Sequence, residues 1–86
     1  MTQFLVRMAV TLKSEVLDPA GQATQSVVHD RGFPGVNSVR IGKLVDIGIE
    51  AESGEQALET ARRLGRDFLA NPVLETFEVW VMSDGH

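Results

Sequence analysis

The sequence predicts an α+β domain: a four-stranded antiparallel sheet with two helices on one face, in the order β-α-β-β-α-β. Three observations predict it. Long period-two runs stand near both chain ends, Phe4–Leu12 and Val73–Met82. Two segments with helix-start signals, at Asp18-Pro19 and at Ser53-Gly54, lie inside those runs. Between them, Val39-Arg40-Ile41-Gly42-Lys43 runs into Leu44–Ile49, which reads as two strands hinged at Gly42-Lys43. That order is the split β-α-β, ferredoxin-like arrangement.

In the first strand Phe4, Val6, Met8, Val10 and Leu12 share one face, and Leu5, Arg7, Ala9 and Thr11 share the other, which is only half polar. Lys13–Leu17 is a connector. Asp18 is suited to N-cap a helix, and Pro19 fits the first helical position because its missing N–H has no partner there anyway. The helix is expected over Pro19–Asp30, with an apolar stripe of Ala20, Ala23, Val27 and Val28. It is short and holds Gly21, so it needs the sheet to hold it. Gly32 supplies the stop, and Phe33-Pro34-Gly35 a turn.

In the hairpin Val39 and Ile41 share one face, and Ser38, Arg40 and Gly42 the other. The return strand sends Val45, Ile47, Ile49 and Ala51 to the core and Leu44, Asp46, Gly48 and Glu50 outward. Ser53 and Gln56 have the spacing of a capping box. The second helix runs from there to Leu69, with a 3.6-period stripe of Ala57, Ala61, Leu64 and Phe68, and with Glu59 facing Arg62 and Arg63. Asn71-Pro72 ends it, Asn71 in a left-handed cap. In the last strand Glu75, Phe77, Val79 and Val81 alternate with Thr76, Glu78, Trp80 and Met82, and residues 83–86 form a frayed tail.

The 86 residues make one domain, 1–86, with a small core. The net charge is −4 and the pI about 5.0, which opposes nucleic-acid binding. No apolar run reaches the roughly 20 residues of a membrane span, and Met1-Thr2-Gln3 has no basic leader, so the expected location is cytoplasmic. With no cysteine there is neither a disulfide nor a thiolate, and self-association becomes the expected extra support.

No catalytic constellation stands out. His29 lies near a helix end, His86 is the last residue, and neither has a Ser, Asp or Cys partner at motif spacing. The carboxylates, among them Glu50, Glu52, Glu55 and Glu59, are scattered, and no pair lies in an apolar setting that would tune it for acid–base work. Gly32, Gly35, Gly42 and Gly48 match no phosphate loop. Arg62, Arg63 and Arg66 read as a salt-bridged helix face. The central strands lack the aromatics on which an RNA-binding sheet stacks bases. What remains is the outer sheet face, where Leu5, Ala9, Leu44, Trp80 and Met82 are exposed unless something covers them, which points to an oligomer interface through Leu5, Ala9, Trp80 and Met82.

The residues singled out above also carry a family resemblance. Leu12-Lys13, Val16-Leu17-Asp18-Pro19-Ala20-Gly21, Val39-Arg40-Ile41-Gly42-Lys43 and Ala70-Asn71-Pro72-Val73-Leu74-Glu75, in that order, resemble the PurS family, the small subunits of phosphoribosylformylglycinamidine synthase. The resemblance implies a chain with no catalytic or metal site of its own. It implies an adaptor, a homodimer or larger, joining a synthetase chain, PurL, to a glutaminase chain, PurQ. The complex so formed converts formylglycinamide ribonucleotide to formylglycinamidine ribonucleotide. It implies no cofactor in this chain, with ATP, Mg and glutamine used by the assembled complex. The candidate partner-binding residues are Arg40, Gly42, Lys43, Lys13, Asp18 and Asn71, with Arg40 and Lys43 expected to meet acidic or phosphate-bearing groups on the synthetase. The alternative is a small-ligand-sensing, ACT-like regulatory domain of the same fold.

Overall fold

The computed structural model describes residues 1–84. Its elements are β1 (Thr2–Leu12), α1 (Pro19–Asp30), β2 (Lys43–Ala51), α2 (Gly54–Leu64) with a π-helical extension (Gly65–Leu69), and β3 (Glu75–Asp84). The sheet has three antiparallel strands in the order β2-β1-β3, not the expected four. The predicted hairpin is absent. Residues 31–42 form no strand, and the chain enters β2 at Lys43 without a turn. The cause lies in where this stretch spends its hydrogen bonds. The Ile41 N–H and the Arg40 side chain are both fastened to the β1–α1 connector, so no ladder forms at 39–41.

The second correction concerns α1. It spans the predicted residues with the predicted Asp18 cap, yet it packs on neither the sheet nor α2 to any extent. Its apolar stripe is weak, Val27 remains exposed, and the buried residue of the helix is Gly21. The chain is correspondingly long and thin, 51 × 27 × 14 Å. Its radius of gyration is 16.3 Å, against about 12 Å for a compact chain of this length. Among the described residues only α2 covers the sheet.

The core is the inner face of β1 beneath α2. Val6, Met8 and Val10 are fully buried there, and Val6 clusters with Phe4, Ile49, Ala51, Ala57 and Ala61. The helix stripe that meets the sheet is Ala57, Ala61 and Gly65, spaced by four, and small residues let the helix backbone lie close. A Cβ at Gly65 would stand 2.6 Å from Phe77 Cζ. Predicted stripe residue Phe68 falls in the π-helical turn and is exposed instead. Ser53 caps α2 through Gln56 N–H (3.2 Å), while Gln56 Oε1 accepts from Glu52 N–H (2.7 Å), one residue before the reciprocal bond of a capping box. Glu59 meets Arg62 (3.6 Å) and Arg66 (4.0 Å) rather than Arg63.

Three boundaries also differ. Ala70 closes the helix in extended conformation, and among the described residues no non-glycine residue has positive φ, so Asn71 is not a left-handed cap. Its side chain instead accepts from Val73 N–H (3.0 Å) and its carbonyl from Leu74 and Glu75 N–H, making a turn of what the periodicity assigned to the last strand. At the other end β3 continues through Asp84, so Ser83 and Asp84 are not tail; Gly85 and His86 lie outside the described residues.

Candidate functional site

Three sequence-distant stretches meet at one end of the sheet. The connector after β1 and the start of α1 bring residues 12–21. The approach to β2 brings 39–43, and the turn before β3 brings 71–75. The meeting is made by hydrogen bonds. Arg40 Nη2 donates to the carbonyl oxygens of Lys13 (2.9 Å), Val16 (3.0 Å) and Leu12 (3.4 Å). Asp18 spends one carboxylate oxygen on Gly21 N–H (2.9 Å) and the other on Ile41 N–H (2.8 Å). Lys13 N–H donates to the Leu74 carbonyl (2.9 Å), and Asn71 N–H donates to Glu75 Oε1 (2.7 Å).

Two glycines permit this clasp. A Cβ at Gly21 would run into the Val39 carbonyl oxygen, and one at Gly42 into that of Val10. Asp18 is only 4% exposed, a buried carboxylate fully matched by donors. The Ile41 and Gly21 N–H groups hold its carboxyl below the usual carboxylate range, with the Arg40 guanidinium adding to their effect against desolvation.

Five of the six candidate partner-binding residues thus take part in or border one clasp: Lys13, Asp18, Arg40, Gly42 and Lys43. Asn71 shapes the adjoining turn. Arg40 is a backbone tie here. Lys43 is exposed at the first position of β2. Exposed apolar side chains surround the clasp, namely Leu17, Ile41, Val73 and Leu74. Sequence reasoning missed Val73 and Leu74 because the alternation ran unbroken into β3; the Asn-Pro pair was the one sign of a turn.

The outer sheet face is the second feature. Leu5, Arg7 and Ala9 run down its centre, flanked by Gly48, Asp46 and Leu44 on β2 and by Trp80 and Glu78 on β3. Arg7 grips Asp46 with two parallel bonds, Nε to Oδ1 at 2.8 Å and Nη2 to Oδ2 at 3.0 Å. The Arg7 fork holds the Asp46 carboxyl below its usual range. Trp80 is 39% exposed and Leu44 61%, and Leu5 and Met82 are open too, Met82 beside an irregularity in the β1–β3 register. Ala9 is half-buried. The structure therefore brings Leu5, Ala9, Trp80 and Met82 onto one open face, well away from the α2 side. Among the described residues no group of three His, Asp or Glu side chains could hold a metal ion, and no helix is long and apolar enough to cross a membrane.

A family model described as PurS, phosphoribosylformylglycinamidine (FGAM) synthase, matches residues 5–83. The phosphoribosylformylglycinamidine synthase subunit PurS of Synechocystis sp. is 41% identical over 71 residues, 83% of this chain and 71% of that one. The PurS subunit of Thermotoga maritima is 35% identical over 80 residues, 92% of this chain and 96% of that one. Among solved structures, a chain in the PurLQS structure from Thermotoga maritima superposes with a TM-score of 0.87 at 32% identity, covering 95% of this chain and 100% of that one. Methanocaldococcus jannaschii PurS, one of the subunits of formylglycinamide ribonucleotide amidotransferase, superposes with a TM-score of 0.80 at 31% identity, covering 96% and 98%.

Proposed function

The chain belongs to the PurS family of phosphoribosylformylglycinamidine synthase subunits, and from that premise we propose that it is the adaptor bridging the PurL synthetase and the PurQ glutaminase. The assembled complex carries out the glutamine- and ATP-dependent conversion of formylglycinamide ribonucleotide to formylglycinamidine ribonucleotide, with Mg, in the cytoplasm. The observation that carries this reading is the near-complete superposition on a chain of the Thermotoga maritima PurLQS assembly.

In this reading the clasp end is the docking surface. Asp18, Arg40 and Gly42 set its backbone, Lys13 and Asn71 join it to the turn before β3, and Lys43 offers a cation beside apolar Ile41 and Leu17. The outer sheet face serves self-association, as a homodimer or larger. An ACT-like sensor is the weaker alternative, because such a module needs a built ligand pocket and the depressions lined by Arg62, Arg66 and Phe77 and by Thr60, Leu64 and Phe68 are open surface grooves.

Sedimentation of the purified chain with PurL and PurQ tests the adaptor reading. A particle holding all three chains is expected. A synthetase–glutaminase particle that forms equally well without this chain would overturn it.

A further inference from the structure

Strand β3 leaves one long edge open. Its ladder runs to β1 alone, and among the described residues its one other backbone bond is from Glu75 N–H to the Asn71 carbonyl. Beyond Glu75, alternate N–H and C=O groups therefore face outward unpaired. Open edges are usually blunted by lysine, proline or a bulge. From Glu75 to Val81 β3 has no lysine or proline, and its register with β1 is unbroken.

Two depressions flank this edge. The one on the α2 side is lined by Arg62, Arg66, Phe77, Val79 and Glu78. Glu78 points to the other face by alternation, so a hollow that includes it opens past the strand edge. The second lies on the outer face against Thr76, Thr11 and Ala9, and shares Phe77 and Glu78 with the first. A strand laid beside β3 would drop alternate side chains into the two.

Charge specifies that strand. Arg62 and Arg66 share the one carboxylate of Glu59, at 3.6 and 4.0 Å, which leaves a cation in excess on the α2 side. Glu78 is exposed and has no ion pair among the described residues. An acidic side chain facing α2, next in sequence to a basic one facing outward, answers both. The edges of a second copy do not. Strand β3 has no basic residue, and β2 has neither an acid among its inner residues nor a cation among its outer ones.

We propose that the open edge of β3 receives an extended segment of a partner chain as a fourth strand. The segment sets an acidic side chain under Arg62 and Arg66 and an adjacent basic one opposite Glu78. Main-chain bonds supply the hold, and the two charges the selectivity. The proposal rests on the adaptor reading above and gives the adaptor a second contact, beside the clasp end.

Amide hydrogen exchange, read residue by residue, tests this in the complex of the chain with purified PurL and PurQ. Alternate amides from Thr76 to Val81 should exchange freely in the chain alone and slow at least about tenfold in the complex. Glu78→Lys, and separately Arg62→Glu with Arg66→Glu, should weaken the complex about tenfold while leaving the melting temperature unchanged. A three-chain complex whose β3 amides exchange as in the chain alone overturns the added strand and leaves the adaptor reading standing. Slowing in the chain alone that grows with its concentration also overturns it, because a second copy then fills the edge. Assembly by both variants at wild-type strength overturns the charge pairing. Failure of any three-chain complex to form overturns the adaptor reading and this proposal with it.

Discussion

Substituting Gly65 by alanine tests how closely α2 lies on the sheet. The added methyl would stand 2.6, 2.7 and 2.9 Å from three ring atoms of Phe77, where ordinary contact begins at 3.4 Å. The ring or the helix must therefore retreat by most of an ångström. Overpacking of this kind costs about 1–3 kcal/mol, while alanine in place of glycine returns up to about 1 kcal/mol of helix propensity. The net is a loss of about 1 kcal/mol, which lowers the melting temperature of a domain this size by about 4–8 °C. The assay is thermal unfolding of Gly65→Ala in two backgrounds, wild type and Phe77→Leu. With the ring gone the alanine should be neutral or stabilising, so the two changes should couple by about 1 kcal/mol or more. If Gly65→Ala stabilises both backgrounds equally, the close helix–sheet approach is not what holds glycine there.

The remaining predictions concern the clasp and the outer face. Asp18 titrates below its ordinary value in the folded chain, so its contribution is complete above the unfolded carboxyl's pKa of about 3.9 and fades as pH falls through the folded value. The stability gap between wild type and Asp18→Asn, measured by urea unfolding, should therefore be wide at pH 6 and narrow below pH 3; a gap independent of pH would show that the carboxylate charge plays no part. Lys43→Glu should change the melting temperature by less than about 3 °C, as surface substitutions do, yet weaken binding to the synthetase about tenfold by calorimetry. Arg40→Glu should instead lower the melting temperature, because three carbonyl oxygens lose their donor; an unchanged melt would show the tie to be dispensable. Leu5→Glu with Trp80→Glu should raise the self-dissociation constant at least about thirtyfold, the scale of one buried tryptophan anchor, in sedimentation equilibrium. An unchanged constant would place the oligomer contact elsewhere.

Elements whose signals are local were legible in the sequence. Asp18-Pro19 fixed the start of α1, Ser53 that of α2, and the strict alternation of Phe4 to Leu12 identified β1 and both its faces. The family was legible as well, from four motif pieces that prove to meet at the clasp. What alternation could not reveal is whether a strand-like stretch finds a ladder. Residues 39–41 alternate like a strand, but their donors go to Asp18 and to the carbonyls of the connector, contacts across more than twenty residues of sequence. Likewise α1 has the pattern of a packed helix, yet periodicity cannot say whether the surface it needs lies in the same chain. Arg40 looked free for the same reason: its acceptors are backbone oxygens, which leave no trace in residue type. The outer face was the readier inference, since Leu5, Ala9, Trp80 and Met82 follow from counting by two.

The adaptor reading is tested most directly by glutamine-dependent formation of formylglycinamidine ribonucleotide from purified PurL and PurQ, with and without this chain, under saturating ATP and Mg. Turnover that appears only when the chain is added, while the chain alone shows no glutaminase, ATPase or synthetase activity, is the result expected. Full glutamine-dependent turnover by PurL and PurQ in its absence would contradict the account.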